Sequence, residues 1–132
     1  MKKIIVTLLF VFSAPSYADW NLIYKDETIK SEYFLNLSNF KRNKSKVRAW
    51  TLENFLELQK TKSLEYYSVK SFVEFNCREA SLRILAYSLY GKNMGKGKTI
   101  FSKGSPLEWI KINKNTMFSS YSQVICAESN QE

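Results

Sequence analysis

Short runs of alternating apolar and polar residues follow residue 19, and this period of two constrains the fold more than any other feature. Such alternation places apolar side chains on one face of a β-strand. We therefore expect an α+β domain, built as a single antiparallel sheet of about five to six strands. A C-terminal helix should pack on one face and be tethered by one disulfide. Candidate strands lie at 20–25, 31–37, 47–55, 65–77, 79–90, 98–102 and 109–112.

The three N-terminal candidate strands have the clearest patterns. In the first, Trp20, Leu22 and Tyr24 would share one face. In the second, Tyr33, Leu35 and Leu37 alternate with other side chains. The third should turn Val47, Ala49 and Thr51 one way and Trp50 and Leu52 the other.

Two segments are ambiguous between strand and helix. In residues 53–62, the spacing of Phe55, Leu56 and Leu58 is compatible with one helical turn or with a bulged strand end. Residues 79–90 are apolar on both faces. Their length and their tyrosine and isoleucine content favour a central strand over a helix.

The end of the chain shows a helical period. Asn115 or Thr116 can cap a helix that follows it. Cys126 would point away from the apolar stripe on an ideal helix, so we expect the last turn to unwind. The stripe consists of Met117, Phe118, Tyr121, Val124 and Ile125.

The first 18 residues have the layout of a secretory signal. Two lysines precede the apolar run at residues 4–12, and Pro15 follows it. The run is shorter than the roughly 20 residues that a membrane anchor needs. A buried helix would not usually have this positive start, nor small residues at the two positions that signal peptidase reads. These positions lie in Ser16-Tyr17-Ala18, so we expect cleavage between Ala18 and Asp19.

This cleavage would make residues 1–18 a signal peptide and residues 19–132 one mature domain. No cysteine lies at residues 13–18 to carry a lipid. Nothing after Ala18 is apolar for long enough to span a membrane. The expected product is periplasmic or secreted, without a transmembrane segment and not lipid-anchored.

Cys77 and Cys126 are the two cysteines of the chain, and both lie in the part predicted to be exported. Outside the reducing cytosol, an even number of cysteines predicts a disulfide. A redox pair would more often form a C-x-x-C motif, and a metal pair would need further ligands nearby. A bridge that closes a loop of about 50 residues contributes on the order of 4 kcal/mol.

Catalytic and cofactor chemistry has little support in the composition. The chain contains no histidine, which removes the commonest general base and metal ligand. The acidic residues are dispersed, and Asp26-Glu27 is their only adjacent pair. We therefore predict a protein that is not an enzyme and uses no cofactor or metal.

The glycines at residues 91–97 predict a hairpin turn. A glycine-rich loop can also cradle phosphate, but the spacing here fits neither G-x-x-x-x-G-K-[ST] nor G-x-G-x-x-G. No helix is predicted directly after it. The hairpin is therefore the better interpretation.

Basic residues outnumber acidic ones. The net charge is +8, and it falls to +6 once Lys2 and Lys3 are removed with the signal. A basic surface of this kind favours anionic partners. Phe40 and Trp50 flank a basic cluster, and charge beside aromatic rings can hold an anionic chain, although a solvated loop would have the same composition. The cluster consists of Lys41, Arg42, Lys44, Lys46 and Arg48.

A series of short motifs resembles the surface-adhesin protein E-like domain family of Gram-negative bacteria. These motifs are Val47 to Trp50, Val73 to Arg78, Tyr90-Gly91, Trp109 to Ile112, and a helix ending in Cys126. The resemblance implies an antiparallel sheet whose concave side carries a disulfide-tethered helix. It also implies a homodimer that binds host extracellular-matrix or plasma proteins. The founding adhesin is lipid-anchored, whereas the lipid-bearing cysteine is missing here.

The resemblance and the composition lead to one functional prediction. We expect an exported, non-enzymatic binding protein that resembles surface-adhesin protein E, with a protein partner such as a host matrix protein. The alternative is a periplasmic inhibitor or envelope accessory protein that acts on an acidic partner. Cell fractionation separates the two, because an adhesin must reach the cell surface or the medium.

Overall fold

The computed structural model describes residues 20–129, so the predicted signal and its cleavage site between Ala18 and Asp19 lie outside the described residues. Within this range the chain forms eight strands, one short 3-10 turn at Asn93–Gly95 and one helix. The strands are β1 (Trp20–Asp26), β2 (Ser31–Asn36), β3 (Lys41–Asn43), β4 (Lys46–Thr61), β5 (Leu64–Asn76), β6 (Ser81–Tyr90), β7 (Thr99–Lys103) and β8 (Ile110–Lys111), and the helix is α1 (Met117–Ser129).

All the strands belong to one antiparallel sheet with the order β1-β2-β4-β5-β6-β7. Strand β3 pairs with the beginning of β4, and β8 pairs with the beginning of β6. The expectation of five to six strands was therefore wrong, and the described residues hold eight. Strands β3 and β8 have three and two residues, which is too short for alternation to reveal.

Both ambiguous segments are strands. Residues 53–61 continue β4, and a shift in pairing between Asn54 and Gln59 makes them the bulged strand end. Residues 81–90 form β6, which has β5 on one side and β7 and β8 on the other. The strand interpretation of residues 79–90 is thus confirmed.

Helix α1 covers one face of the sheet, and the core lies between them. Alternation in β2 and β4 is confirmed, because Leu35, Val47 and Ala49 are fully buried there. Each contributes apolar area that folding removes from water. The core cluster is Tyr33, Leu35, Val47, Ala49, Val73, Phe75, Leu82, Tyr121 and Ile125.

Strand β1 departs from its predicted alternation. A shift in its pairing with β2 lies between Leu22 and Tyr24, so these side chains point to different faces. Ile23 packs against the core. Tyr24 contacts the core residue Tyr33, with 5.8 Å between ring centroids.

Helix α1 is tethered to the end of β5 by the predicted Cys77–Cys126 disulfide, whose Cα atoms are 5.8 Å apart. Thr116 caps the helix, and its Oγ1 accepts a hydrogen bond from the Ser119 N–H at 3.2 Å. The expected unwinding was wrong, since the helix runs on to Ser129. Tyr121 and Ile125 are its most deeply buried residues, and this rotation brings Cys126 to the edge of the interface.

The glycine-rich connection between β6 and β7 is the predicted hairpin, and it folds back over the sheet. Asn93 Nδ2 donates to Asn54 Oδ1 at 3.0 Å, and the Met94 N–H donates to the same oxygen at 2.8 Å. The Gly95 N–H donates to Ser68 Oγ at 2.9 Å. These N–H groups are used within the protein, which agrees with a hairpin rather than a phosphate cradle.

Candidate functional site

The outer face of the sheet, defined as the face opposite α1, carries a row of charged side chains. Arg48 on β4 pairs with Glu74 on β5, and Glu74 pairs with Arg83 on β6. Paired residues on adjacent strands lie on the same face, and their neighbours Val47, Phe75 and Leu82 face the core. The two arginines therefore flank one carboxylate.

Glu74 binds both guanidinium groups. Arg48 Nε donates to Glu74 Oε2 at 2.7 Å, while Arg83 Nε and Nη2 lie 3.0 and 2.9 Å from Oε1. Glu74 is only 3% exposed. Burial by itself would raise its pKa, but the hydrogen bonds and charges of Arg48 and Arg83 outweigh it and lower the pKa. The carboxylate thus stays ionised and holds the arginines in fixed positions.

A cleft of about 460 Å³ opens above this row, and we call it the arginine cleft. Four of the five residues in the predicted basic cluster line it. Lys44 does not, because it occupies the turn between β3 and β4 with a φ of 60°, and its carbonyl accepts a hydrogen bond from Arg42 Nε. The lining is Lys41, Arg42, Asn43, Lys46, Arg48, Glu74 and Arg83.

A second cleft of about 500 Å³, the tryptophan cleft, shares Lys46 with the first. The Trp109 ring contacts one cation from each cleft, Lys46 and Arg83. Lys46 Nζ lies 5.6 Å from the centroid of the Trp109 ring, and the Arg83 guanidinium carbon lies 4.8 Å from it. Such cation–π contacts help to fix the long basic side chains. The lining is Lys46, Asn76, Glu79, Ser81, Trp109 and Lys111.

The other two tryptophans of the chain extend this pattern across the outer face. Trp50 pairs across the strands with Phe72, and their rings are 4.9 Å apart. Lys70 Nζ lies 4.7 Å from the Trp50 centroid and 6.0 Å from that of Trp20. Each of the three tryptophans therefore has a Lys or Arg side chain over its ring.

The sequence patterns did not assign Arg83, Trp109 or Lys111 to a binding surface, although Trp109 to Ile112 form one of the family motifs. Arg83 had a usable signal, because Glu74 and Arg83 are equally distant from the turn that joins β5 and β6. Trp109 and Lys111 had none, since the connection after β7 is irregular and fixes no register.

A small cavity of about 10 Å³ lies beneath α1, and its lining includes Glu53 and Tyr121. This space holds one water molecule at most, so it is not a ligand pocket. Burial raises the pKa of Glu53 to about 7. The Tyr121 hydroxyl has no hydrogen-bond partner among the described residues.

Residues 20–129 contain neither a cluster of metal ligands nor a helix that could span a membrane. No three or more His, Cys, Asp or Glu side chains in this range are grouped so that they could hold a metal ion. None of its helices combines the length and the apolar character needed to cross a membrane.

Comparison with solved structures shows the same fold in protein E of Haemophilus influenzae. Crystal form II of that protein gives a TM-score of 0.63 at 16% identity, covering 75% of this chain and 83% of the other. A second structure of it gives 0.61 at 16% identity, covering 84% and 87%. Protein E from non-typeable H. influenzae gives 0.54 at 16% identity, covering 80% and 75%.

Comparison of the sequences supplies the family. None of the curated proteins compared with this chain is significantly similar to it. The sequence profile described as Surface-adhesin protein E, however, matches residues 20–127, which include every strand and nearly all of α1. The chain therefore belongs to the surface-adhesin protein E family.

Proposed function

We propose that this protein is an exported, non-enzymatic adhesin-type binding protein whose partner is a host extracellular-matrix or plasma protein. Membership of the surface-adhesin family supports the binding role. One observation on this chain carries the choice of surface: Arg48 and Arg83 are held side by side on the outer face by the buried carboxylate of Glu74.

The arginine and tryptophan clefts are built to attract negative charge. Positive side chains exceed negative ones in their combined lining. Electrostatic attraction of this kind speeds association and orients the partner. The contacts of Arg83 with Glu74 and Trp109 restrict it before binding, so less side-chain entropy is lost when a partner docks. The six cationic residues that line the two clefts are Lys41, Arg42, Lys46, Arg48, Arg83 and Lys111.

Export is proposed from the N-terminal signal pattern. Cleavage between Ala18 and Asp19 would deliver residues 19–132 to the periplasm or the medium, without a lipid. We also propose a homodimer, which light scattering of the mature protein tests directly.

The intact mass of the exported protein tests the processing step. We expect the mass of a chain that begins at Asp19 and carries no acyl group, with one disulfide. A retained Met1 or a lipid adduct in the exported fraction would contradict the proposed processing.

The alternative function, a periplasmic inhibitor or envelope accessory protein, has less support. An inhibitor of an acidic cleft needs a protruding basic loop, and the hairpin at residues 92–97 carries Lys92 and Lys96. This hairpin is instead bound to the sheet through Asn54 and Ser68. Six other basic residues line the two clefts rather than a protruding loop.

A binding experiment tests the proposed function. The mature protein is immobilised and exposed in parallel to purified host matrix and plasma proteins and to an extract of the bacterial envelope. We expect retention of a host protein, and fractionation should find the native protein at the cell surface or in the medium. Retention of envelope proteins alone, from a protein confined to the periplasm, would favour the alternative.

A further inference from the structure

We infer that the arginine and tryptophan clefts together bind a segment of an acidic polysaccharide, a glycan that carries sulfate or carboxylate groups beside free hydroxyls. The inference rests on the proposed function, because it names the chemistry of the partner at the same surface. In a host matrix such a glycan can be attached to the protein that the adhesin contacts.

The cations are arranged in two rows on the outer face. Lys46 and Lys111 belong to one row, and Arg48 and Arg83 belong to the next. Residues two apart on a strand are separated by about 7 Å, and adjacent strands by about 4.8 Å. An extended chain that crosses both rows can therefore place successive anionic groups on different cations.

The two arginines provide the most specific contacts. Arg48 reaches Glu74 through Nε, and its terminal Nη atoms have no hydrogen-bond partner among the described residues. Planar guanidinium groups bind sulfate and carboxylate through paired N–H donors. The bond to Glu74 fixes the orientation of the Arg48 guanidinium group, so that its Nη donors are in position before the ligand binds.

Neutral polar groups lie between the charges and match the hydroxyls of a sugar. Asn76 Oδ1 already accepts hydrogen bonds from the Arg78 and Glu79 N–H groups, which leaves its amide nitrogen as a donor. Ser81 and the exposed Glu79 also line the tryptophan cleft. A carboxylate accepts hydrogen bonds from hydroxyls but repels a chain that is uniformly anionic.

These features favour a glycan over nucleic acid. Proteins that bind single strands stack bases on exposed aromatic rings. The Trp109 ring already contacts Lys46 and Arg83, and the Trp50 ring contacts Lys70. A deoxyribose phosphate backbone also brings no hydroxyl donors for Glu79.

The shape favours a glycan over the flat surface of an acidic protein. Each cleft has a volume of roughly 500 Å³, within the range of pockets that enclose small ligands. A sugar unit with a protruding sulfate can enter such a space. A folded protein surface would contact only the rim and leave the buried side of Arg83 unused.

Binding of a heparin decasaccharide to the mature protein, measured by calorimetry, tests the inference. Its chemically desulfated counterpart and a single-stranded DNA of equal charge serve as competitors. We expect the sulfated glycan to bind at least tenfold more tightly than the DNA. The desulfated glycan keeps its carboxylates and hydroxyls but has fewer charges, so it should also bind more tightly than the DNA, though less tightly than the sulfated glycan. Equal binding by the DNA, or no binding by the glycan, would overturn the inference.

Matched variants locate the site. The combined changes Lys41→Gln, Lys46→Gln and Lys111→Gln should weaken binding by about tenfold or more, because three charge contacts are lost. These lysines are exposed, so the fold should be retained. The control changes Lys98→Gln and Lys103→Gln remove exposed lysines at or beside β7 and should alter the affinity less than twofold. Equal losses in both variants would show a diffuse attraction and contradict the site.

A third measurement separates this inference from the proposed function. A matrix protein that binds is treated with lyases that remove its acidic glycans. Loss of binding supports the glycan as the ligand. Undiminished binding would refute the glycan but leave the proposed function standing. If no matrix protein binds although the purified decasaccharide does, the proposed host protein partner fails and the glycan site remains.

Discussion

Glu74 is the residue on which the charged face depends. Its carboxylate is buried and accepts hydrogen bonds from Arg48 and Arg83. An isolated buried charge is costly, whereas one with two guanidinium partners is satisfied. Without Glu74, the two arginines would repel each other, and the cleft would lose its fixed donors.

Replacement of Arg83 tests this dependence. Arg83→Met removes one partner from the buried carboxylate and should lower the free energy of unfolding at pH 7 by about 3 kcal/mol. Urea denaturation measures the change. The control is Arg78→Met, which alters an exposed arginine and should stay within about 0.5 kcal/mol.

The loss of stability caused by Arg83→Met should become smaller as the pH falls. Because Glu74 has a pKa below its ordinary value of 4.5, its ionisation stabilises the fold above pH 4.5. That stabilisation is lost as the pH falls through the lowered pKa. The difference between wild type and Arg83→Met should therefore shrink in acid. A constant difference would mean that Arg83 acts through packing alone.

Glu53 should have the opposite effect on the pH dependence of stability, because its ionisation destabilises the fold. Burial raises its pKa to about 7 from an ordinary 4.5, so the folded state favours the protonated form. The contribution is fully present below pH 4.5 and is lost as the pH rises through 7. One pKa unit corresponds to about 1.4 kcal/mol, so the raised pKa of Glu53 implies a loss of folding stability on the order of 3 kcal/mol at high pH.

The variant Glu53→Gln isolates this effect, since the amide cannot ionise. We expect the stability of wild type to fall between pH 4.5 and 7.5 relative to that of the variant, as followed by urea denaturation. Parallel stability curves over this range would contradict the raised pKa. Tyr33, Tyr66 and Tyr121 feel the charge of Glu53 but titrate above this range, because their own pKa values are raised.

In the strands, irregular pairing explains why the sequence did not predict every side chain that faces the core. Alternation correctly placed Leu35, Val47 and Ala49 in the core. In β6 the pairing shifts around Leu85, since Ile84 pairs with Val73 and Ala86 pairs with Phe72. One inserted residue moves all later side chains to the other face, which is why this strand is apolar on both. The backbone geometry of the bulge, rather than composition, sets that position.

The hairpin at residues 92–97 is held to the sheet by Asn54. Its Oδ1 accepts from Asn93 and Met94, and its Nδ2 donates to Glu32. Asn54→Ala should leave the Met94 N–H without its acceptor, whereas Asn93 Nδ2 keeps its bond to the Phe55 carbonyl, and the stability should fall by about 2 kcal/mol. Hydrogen exchange should quicken at the Met94 and Gly95 amides.

The control for this change is Asn43→Ala, at an exposed asparagine in β3. We expect no change in exchange at residues 92–97 in that variant. Unchanged protection of Met94 in Asn54→Ala would show that the hairpin does not depend on this side chain.

At the scale of the whole molecule, the two faces of the sheet have different roles, one in the core and one at the surface. One face packs against α1, which Cys77–Cys126 fastens to the end of β5. The outer face carries the two clefts and, at its other end, the hairpin at residues 92–97. The basic cluster at residues 41–48 predicted one edge of this surface, but Arg83 and Trp109 join it only through long-range strand pairing. Sequence patterns report neighbours along a strand better than neighbours across several strands.

The outer face is proposed to bind its partner through the charges of its basic side chains. The most direct test is the association rate of the mature protein with its retained matrix partner, measured at increasing salt. Lys41→Glu with Lys46→Glu should slow association strongly at low salt, and the difference should shrink as salt screens exposed charges over about 8 Å. Lys98→Glu with Lys103→Glu should associate like wild type. Association that ignores salt and is equal in all three proteins would contradict the claim.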